Sequence, residues 1–453
     1  MQLANYFEHN NIIYPNQYGF RKKHSTEYAS LHLVDYISYS METMSTPLNI
    51  FLDLSKAFDT LNHDILLAKL EHYGLNRMAY NLLSTYLRNR KQYVQFESTS
   101  SDELHITHGV PQGSILGPLL FIIYINDLPH ASKLFDFLMY ADDTTLCCCI
   151  DNIDGNDKEN VLNNELQHVN KWLTANKLSL NVNKTKYMLY FKHPKVTNDL
   201  NLSINNNYIS RVNAFNFLGL QMNCNLNWNN HIEYISNKIM RTTGMLHRIK
   251  EYIPSTILRS LYNTLILPHI NYCILSWGKQ CDNILLLQKR AVRVICSANT
   301  YNAHTEPLFK SCNLLKVTDI YETKMLVFYH NLLLQSTPNH FNSFTPSYST
   351  GNLRYPIRDP KFKLPSHSHE YTKLTCRYQL PSLLNMYILS DRATDKTGEE
   401  VNFSNLLRNS RNIPKHTFKK LLKSHYISEY STACRVQNCY ICQNRNSLDI
   451  TAS

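Results

Sequence analysis

The sequence predicts an α+β fold: an antiparallel sheet packed with helices, then a helical region, then a mostly irregular basic C-terminal stretch. Three observations predict it. Up to about residue 225, apolar β-prone runs such as 49–54 and 135–147 alternate with helix-length segments. From His231, the residues Ile232, Ile235, Ile239, Leu246 and Ile249 recur on one helical face. After about residue 335, Pro, Ser, Asn and Thr take over in loop proportions. The predicted divisions are therefore 1–225, 226–335 and 336–453.

The chain has 453 residues, enough for two or three domains with cores of their own. Lys+Arg number 46 against 35 Asp+Glu, a net charge of +11 that suits a polyanionic partner. Twelve Cys are scattered, and Cys147-Cys148-Cys149 run consecutively, poor geometry for a disulfide framework. Reduced thiols are expected. MQLANYFEHNN has no basic segment leading into an apolar one, and no stretch approaches the roughly 18 uncharged apolar residues of a membrane span. A soluble, intracellular protein is the expectation.

Residues 1–12 read as the end of a helix, with Leu3, Tyr6 and Phe7 at helical spacing. Asn16 to Thr26 is turn-like, Gly19 standing ahead of the basic cluster Arg21, Lys22 and Lys23. A helix follows from about Thr26 to Met44, with Leu31, Val34, Tyr36 and Ile37 as its apolar face and Pro47 beyond its end. Strand Asn49–Leu54 comes next. Helices from about Asn62 to His72, closed by Gly74, and from about Arg77 to Asn89 lead to a strand pair around Gln92–Phe96 and Glu103–Thr107.

HGVPQGSILGPLLFIIYINDL (His108 to Leu128) is a loop punctuated by Gly and Pro, feeding an apolar helix from about Leu116 to Leu128. Such a loop either brings backbone amides close to a phosphate or base pair, or is a tight turn before a core helix. After a hairpin over Phe135–Cys147 come a loop (Asp151–Asn160), a helix (Val161–Asn176), a strand pair around Asn183-Lys184, and a β turn, Phe215–Met222, bent at Gly219. Helices are then expected near 231–250, 255–266 and 283–297. Between Asn237 and Ile295 nine Lys/Arg face two Asp/Glu, which marks either a grip on a polyanion or a solvated face. Residues 401–453 carry eight Lys/Arg and two Asp/Glu. Cys434, Cys439 and Cys442, with His425 upstream, lack the tighter four-ligand spacing of a zinc knuckle, so zinc binding stays open against loose thiols.

The chemistry concentrates in FDFLMYADDTTLC (Phe135–Cys147). Two adjacent carboxylates, Asp142 and Asp143, at the tip of a buried hairpin repel each other unless a cation neutralises them. An ordinary Asp-Asp turn is the bland reading. Asp53, where the strand in NIFLDLSKAFD ends, tips the balance: three acidic groups at the ends of two strands can hold two metal ions about 3.5–4 Å apart, as in-line phosphoryl displacement requires.

In order along the chain, FLDLSKAFD, HGVPQGSILGPLLF, YADD, NKLSLNVNKTK and FNFLG resemble the successive palm motifs of reverse transcriptases. QYGFRKKHST upstream, and SWG followed by LQKRAVRVI downstream, resemble the non-LTR retrotransposon branch, jockey-like elements in particular, so the resemblance covers about residues 5–300. It implies a right-hand polymerase, with partial fingers and palm over 1–225, a helical thumb over 226–335 and a basic C-terminal region over 336–453. The implied activity is RNA-directed DNA polymerisation, adding dNTPs to a primer 3′-hydroxyl in the nucleus at a nicked target. Two Mg²⁺ (or Mn²⁺) would be the cofactors, and an RNA template and a DNA primer the partners.

The resemblance also implies roles. Asp53, Asp142 and Asp143 match the catalytic, metal-binding carboxylates. Lys184 sits in the motif whose lysine protonates pyrophosphate, with Lys186 close enough to compete for that assignment. Leu54 offers a backbone carbonyl beside the nucleotide. Phe58 matches the aromatic gate that clashes with a ribose 2′-hydroxyl. Gln112 and Gly113 match the loop that touches nucleotide and template, and Phe217, Leu218 and Gly219 match the primer grip. Read without the resemblance, Phe58 also suits the core and Lys184 a solvated strand, while Asp59 and Asp64 suit a helix-start cap and a surface charge.

The family's fingers begin before the point where this chain starts, and nothing in residues 1–15 replaces their basic Arg-Pro-Ile segment. Neither endonuclease motifs before the polymerase nor a ribonuclease H motif after it are evident. The expectation is an N-terminally truncated fragment of an element's second reading frame. The rivals are a catalytically inactive or domesticated nucleic-acid-binding relic and a maturase-like protein, whose helix set after the thumb is not visible here.

Overall fold

A computed structural model of the chain describes residues 2–43, 45–155, 157–191, 199–298, 304–347, 362–365, 370–390, 406–407 and 410–430. The chain splits into two compact units, 1–218 with 338–340 and 219–337 with 341–453. The first unit holds α1 (Gln2–His9), α2 (Thr26–Glu42), β1 (Pro47–Leu52), α3 (His63–His72) and α4 (Arg77–Leu87). Four two-residue strands follow, β2 (Lys91–Gln92), β3 (Gln95–Phe96), β4 (Thr99–Ser100) and β5 (Leu104–His105). Then come α5 (Leu116–Tyr124), β6 (Asp136–Tyr140), β7 (Asp143–Cys149), α6 (Lys158–Ala175) and β8 (Lys186–Leu189). Short strands β9 (Ser203–Ile204), β10 (Asn207–Tyr208), β11 (Ser210–Arg211) and β12 (Ala214–Phe217) close the unit.

A five-stranded sheet in the order β11-β8-β1-β7-β6 organises these elements. Its neighbours are antiparallel except β11, which runs parallel to β8. β1 is buried along its whole length, which is why PLNIFL is a continuous apolar run rather than an alternation. Leu48, Ile50 and Leu52 join Leu66, Leu70, Phe121, Leu146 and Leu166 in one core. Phe51, pointing to the other face, stacks on Phe215 with ring centroids 3.9 Å apart. Side chains cap the helices: Ser25 accepts the Tyr28 amide, Asn62 that of Ile65, Asn76 that of Ala79 and Asp157 that of Asn160. Each such cap is worth about 1 kcal/mol.

Several expected bounds shift for physical reasons. β1 ends at Leu52, so Asp53 stands beyond the strand instead of inside it. The backbone there leaves the ladder: Asn181 N–H donates to the Asp53 carbonyl and Ser55 N–H to the Ser179 carbonyl, both at 2.8 Å. The strand expected before Asn183 shrinks accordingly to a bridge between Leu180 and Leu54. α5 stops at Tyr124 rather than Leu128. Asn126 is drawn off to hold the N-terminal segment, accepting the Tyr14 amide at 2.7 Å and donating to the Ile12 carbonyl at 2.8 Å. α2 is buried well beyond its expected apolar face, with His32 and Asp35 inside.

The second unit opens with β13 (Leu220–Asn223) and continues as helices: α7 (Asn229–Ile249), α8 (Ser255–Leu265), α9 (Leu267–Asn271), α10 (Ile274–Trp277), α11 (Asp282–Ile295), α12 (Thr305–Ser311) and α13 (Val317–Leu333). Beyond these lie α14 (Glu370–Lys373), α15 (Cys376–Ser390) and α16 (Lys415–Glu429). α7 buries Ile232, Ile235, Ile239 and Leu246 against α11, as its spacing predicts. The unit boundary falls at Leu218/Gly219, where about 225 was expected, and the described parts of 336–453 are largely helical. α16 buries Phe418, Leu422 and Tyr426, one turn apart, and packs on α13. There Tyr387 and Tyr426 donate to Glu322 at 2.8 and 2.9 Å. The nine described cysteines are free thiols. Cys434, Cys439 and Cys442 lie outside the described residues. Among the described residues no helix is long and apolar enough to cross a membrane.

Candidate active site

The hairpin β6–β7 pairs Tyr140 with Asp143, leaving Ala141 and Asp142 as its two-residue turn. Ala141 adopts φ +55°, a left-handed conformation that an alanine holds only when its surroundings enforce it. Those surroundings are Asn16–Gly19. Tyr18 N–H donates to the Met139 carbonyl at 2.7 Å, and Met139 N–H to the Asn16 carbonyl at 3.0 Å, so this segment runs along the outer edge of β6. The buried Gln17 turns its Oε1 to accept both the Gly19 amide (2.8 Å) and the Ala141 amide (3.0 Å). A Cβ on Gly19 would stand 2.4 Å from the Ala141 nitrogen, so only glycine fits there. Sequence reasoning missed Gln17. Its one signal was the QYG step ahead of the basic cluster.

Asp53 faces this turn from the end of β1. Asn181–Thr185 supports it from below: beyond the carbonyl contact, Thr185 Oγ1 donates to the Asn181 carbonyl at 3.0 Å, and the Lys184 amide bonds the same carbonyl at 3.2 Å. Lys184 Nζ stands 3.8 Å from Asp53 Oδ2, both side chains substantially solvated. Lys186 is committed elsewhere, donating to Ser210 Oγ at 2.7 Å.

The three carboxylates feel one another. Partial burial, then repulsion from Asp53, raises the proton affinity of Asp142. Asp143 is pushed up to about 6 by desolvation first, then by Asp142 and Asp53, although the residue keeps an exposed edge. They do not close into a ready cage: among the described residues no three His, Cys, Asp or Glu side chains stand close enough to hold an ion. The donor chemistry is still that of a hard divalent cation, an all-oxygen carboxylate set in an otherwise basic chain.

Residues 2–222 match the reverse transcriptase (RNA-dependent DNA polymerase) family. Over those residues the chain is similar to a reverse transcriptase domain. It is 25% identical over 337 residues to the "Probable RNA-directed DNA polymerase from transposon X-element" of Drosophila melanogaster, covering 70% of this chain and 36% of that protein. With the "RNA-directed DNA polymerase from mobile element jockey" of Drosophila funebris the identity is 25% over 305 residues, covering 63% of this chain and 32% of that protein. The chain thus spans about a third of the length of these relatives.

Around the carboxylates, the first unit arranges the other expected residues at differing depths. Leu54 is buried in its bridge to Leu180. Phe58 is half-buried, stacked on Phe121 at 4.3 Å between centroids and edge-on to Phe20 at 6.3 Å, which leaves one edge outward. Val110 N–H donates to the Phe58 carbonyl at 3.0 Å, and Gly109 (φ +80°) lies so close to the Asp59 backbone that a Cβ would clash at 2.8 Å. Gln112 and Gly113 are exposed above this contact. Asp59 is no helix cap: Asn62 caps α3, while Asp59 accepts Gln112 Nε2 at 2.9 Å and so aims that glutamine. Asp64 is the surface charge expected, paired with Arg88 at 2.9 Å. Phe217 is buried and packs on Phe51 at 6.2 Å. Leu218 (φ +47°) and Gly219 (φ +85°) both take left-handed backbone, the signature of a tight hairpin bend.

Proposed function

We propose that this chain is the polymerase portion of a non-LTR retrotransposon reverse transcriptase, extending a DNA primer 3′-hydroxyl with deoxynucleotides along an RNA template. The placement of Asp53 just past β1, beside the end of the paired strand β7 where Asp142 and Asp143 stand, in a stretch that matches this family, carries the reading. In it the first unit serves as palm with partial fingers, and helices α7 to α11 as thumb. The site of action is nuclear, at a nicked target.

Asp53, Asp142 and Asp143 would hold two Mg²⁺, which when bound supply Lewis acidity at the primer hydroxyl and charge neutralisation at the departing pyrophosphate. The protein's own groups do the rest. Lys184, next to Asp53 and not tied down as Lys186 is, donates a proton to the leaving pyrophosphate. Leu54 presents its backbone beside the sugar. The outward edge of Phe58 excludes a 2′-hydroxyl. Gln112, aimed by Asp59, and Gly113, whose surroundings hold nothing within 4 Å of a Cβ, line the approach of template and nucleotide. Phe217, Leu218 and Gly219 hold the primer terminus.

Primer extension on an RNA template with Mg²⁺ and dNTPs tests this. Extension lost in Asp142→Ala/Asp143→Ala, with RNA binding retained, is expected; extension undiminished in that variant overturns the reading.

A further inference from the structure

Lys423 on α16 is half-buried, and its neighbouring charge is a like one, Arg259 of α8. Burial, then that guanidinium, holds its ammonium below the ordinary lysine range. A desolvated cation in a folded protein normally has an acid to offset it. On the adjoining helices the acids are already engaged. Glu306 pairs with Lys316 at 2.7 Å, Asp319 accepts the Tyr430 hydroxyl, and Glu322 accepts two tyrosines. Among the described residues, no carboxylate pairs with Lys419, Lys423 or Arg259; Arg259 reaches the Cys312 carbonyl at 3.4 Å.

Two cavities flank these cations. One, of about 680 Å³, is lined by Arg259 with the hydroxyls of Ser255, Thr256, Ser297 and Ser311. The other, of about 250 Å³, is lined by Lys419 and Lys423, by the amides of Asn263 and Asn313, and by apolar Leu314 and Val327. Cations to take phosphates, hydroxyls to take ribose, and a small cavity with apolar walls and amide groups together describe one ligand chemistry. An unstacked nucleobase puts its face on apolar wall and its edge on amides, and its backbone on lysine. A duplex has no free base to offer.

We propose that the second unit binds single-stranded RNA across α8, α13 and α16, with Arg259, Lys419 and Lys423 on successive phosphates and one unpaired base in the smaller cavity. The choice of RNA among polyanions rests on the polymerase reading above; the uncompensated cations do not.

The test is fluorescence anisotropy of a labelled single-stranded RNA titrated with the full chain over a range of salt concentrations. Lys419→Ala/Lys423→Ala should weaken binding and flatten the log K against log salt slope by about 1.4, at about 0.7 for each phosphate no longer neutralised. Lys133→Ala/Lys171→Ala removes equal charge from exposed positions of the first unit and should leave the slope unchanged. Without RNA, the Lys419→Ala/Lys423→Ala protein should melt no lower than wild type, because a like-charge repulsion is gone. An unchanged slope in that variant, an equal loss in the control variant, or a lowered melting temperature overturns the proposal. Asp142→Ala/Asp143→Ala should keep the wild-type slope, so a failure of the polymerase reading shows up separately.

Discussion

Gln17 Oε1 accepts the backbone N–H of Ala141 at 3.0 Å, joining a residue near the N-terminus to the turn that presents Asp142 and Asp143. The same oxygen takes the Gly19 amide at 2.8 Å, so one buried side chain fixes both partners of a close backbone approach. Gln17→Met would leave two buried amides unpaired, at about 1–3 kcal/mol each. The expected result is a lowered melting temperature and a single-turnover incorporation rate down about tenfold or more, equivalent to about 1.4 kcal/mol. Gln17→Glu keeps an acceptor and should recover most of the stability. Unchanged incorporation in Gln17→Met would show that the turn holds its shape unaided.

Asp143 gives the site a pH signature. Its folded value of about 6 lies above its ordinary 3.8, so between those values the folded state binds the proton more readily than the unfolded one. The carboxyl therefore costs stability at neutral pH, and that cost fades as pH falls through about 6 toward 3.8. In metal-free buffer Asp143→Asn should melt higher than wild type at neutral pH. The gap should narrow on acidification, as thermal melts at stepped pH would read directly.

Lys184 and Lys186 separate by what each touches. Lys184→Met removes the ammonium 3.8 Å from Asp53 and should cut the chemical step by about 10²-fold, the scale of general acid catalysis. It should leave stability nearly untouched, since the pair is solvated. Lys186→Met loses a bond to Ser210 and should leave the rate near wild type. Single-nucleotide incorporation with both variants compares them.

Phe58 has two duties, packing on Phe121 and presenting an edge outward. Phe58→Val should raise ribonucleotide incorporation relative to deoxyribonucleotide. It should also lower stability by about 1–3 kcal/mol, less than a fully buried phenylalanine would cost. Competition between the two nucleotide types, beside a melt, reads both.

Much of this was legible in the residues. Asp142 and Asp143 between β-prone runs announced the hairpin, and the one-turn spacing of Ile232, Ile235 and Ile239 announced α7. Asp53 was read one step too far into its strand, because the ladder's end is decided by Asn181 and Ser179, which lie far along the chain. Gln17 was not legible: one glutamine in a polar turn has no periodicity, and its role exists only once β6 lies beside it. Asp59 looked like a helix cap because its true partner, Gln112, is 53 positions away. In α16, Phe418, Leu422 and Tyr426 repeat every four residues, a signal masked by the basic composition around them.

The most direct measurement is RNA-templated primer extension by the whole chain beside its Asp53→Asn variant, with RNA affinity measured on the same preparations. Asp53 follows a different strand from the Asp142-Asp143 turn, so its loss tests whether the two strand ends serve one site. Equal RNA affinity and abolished extension in the variant are expected. Extension by Asp53→Asn at the wild-type rate would contradict that.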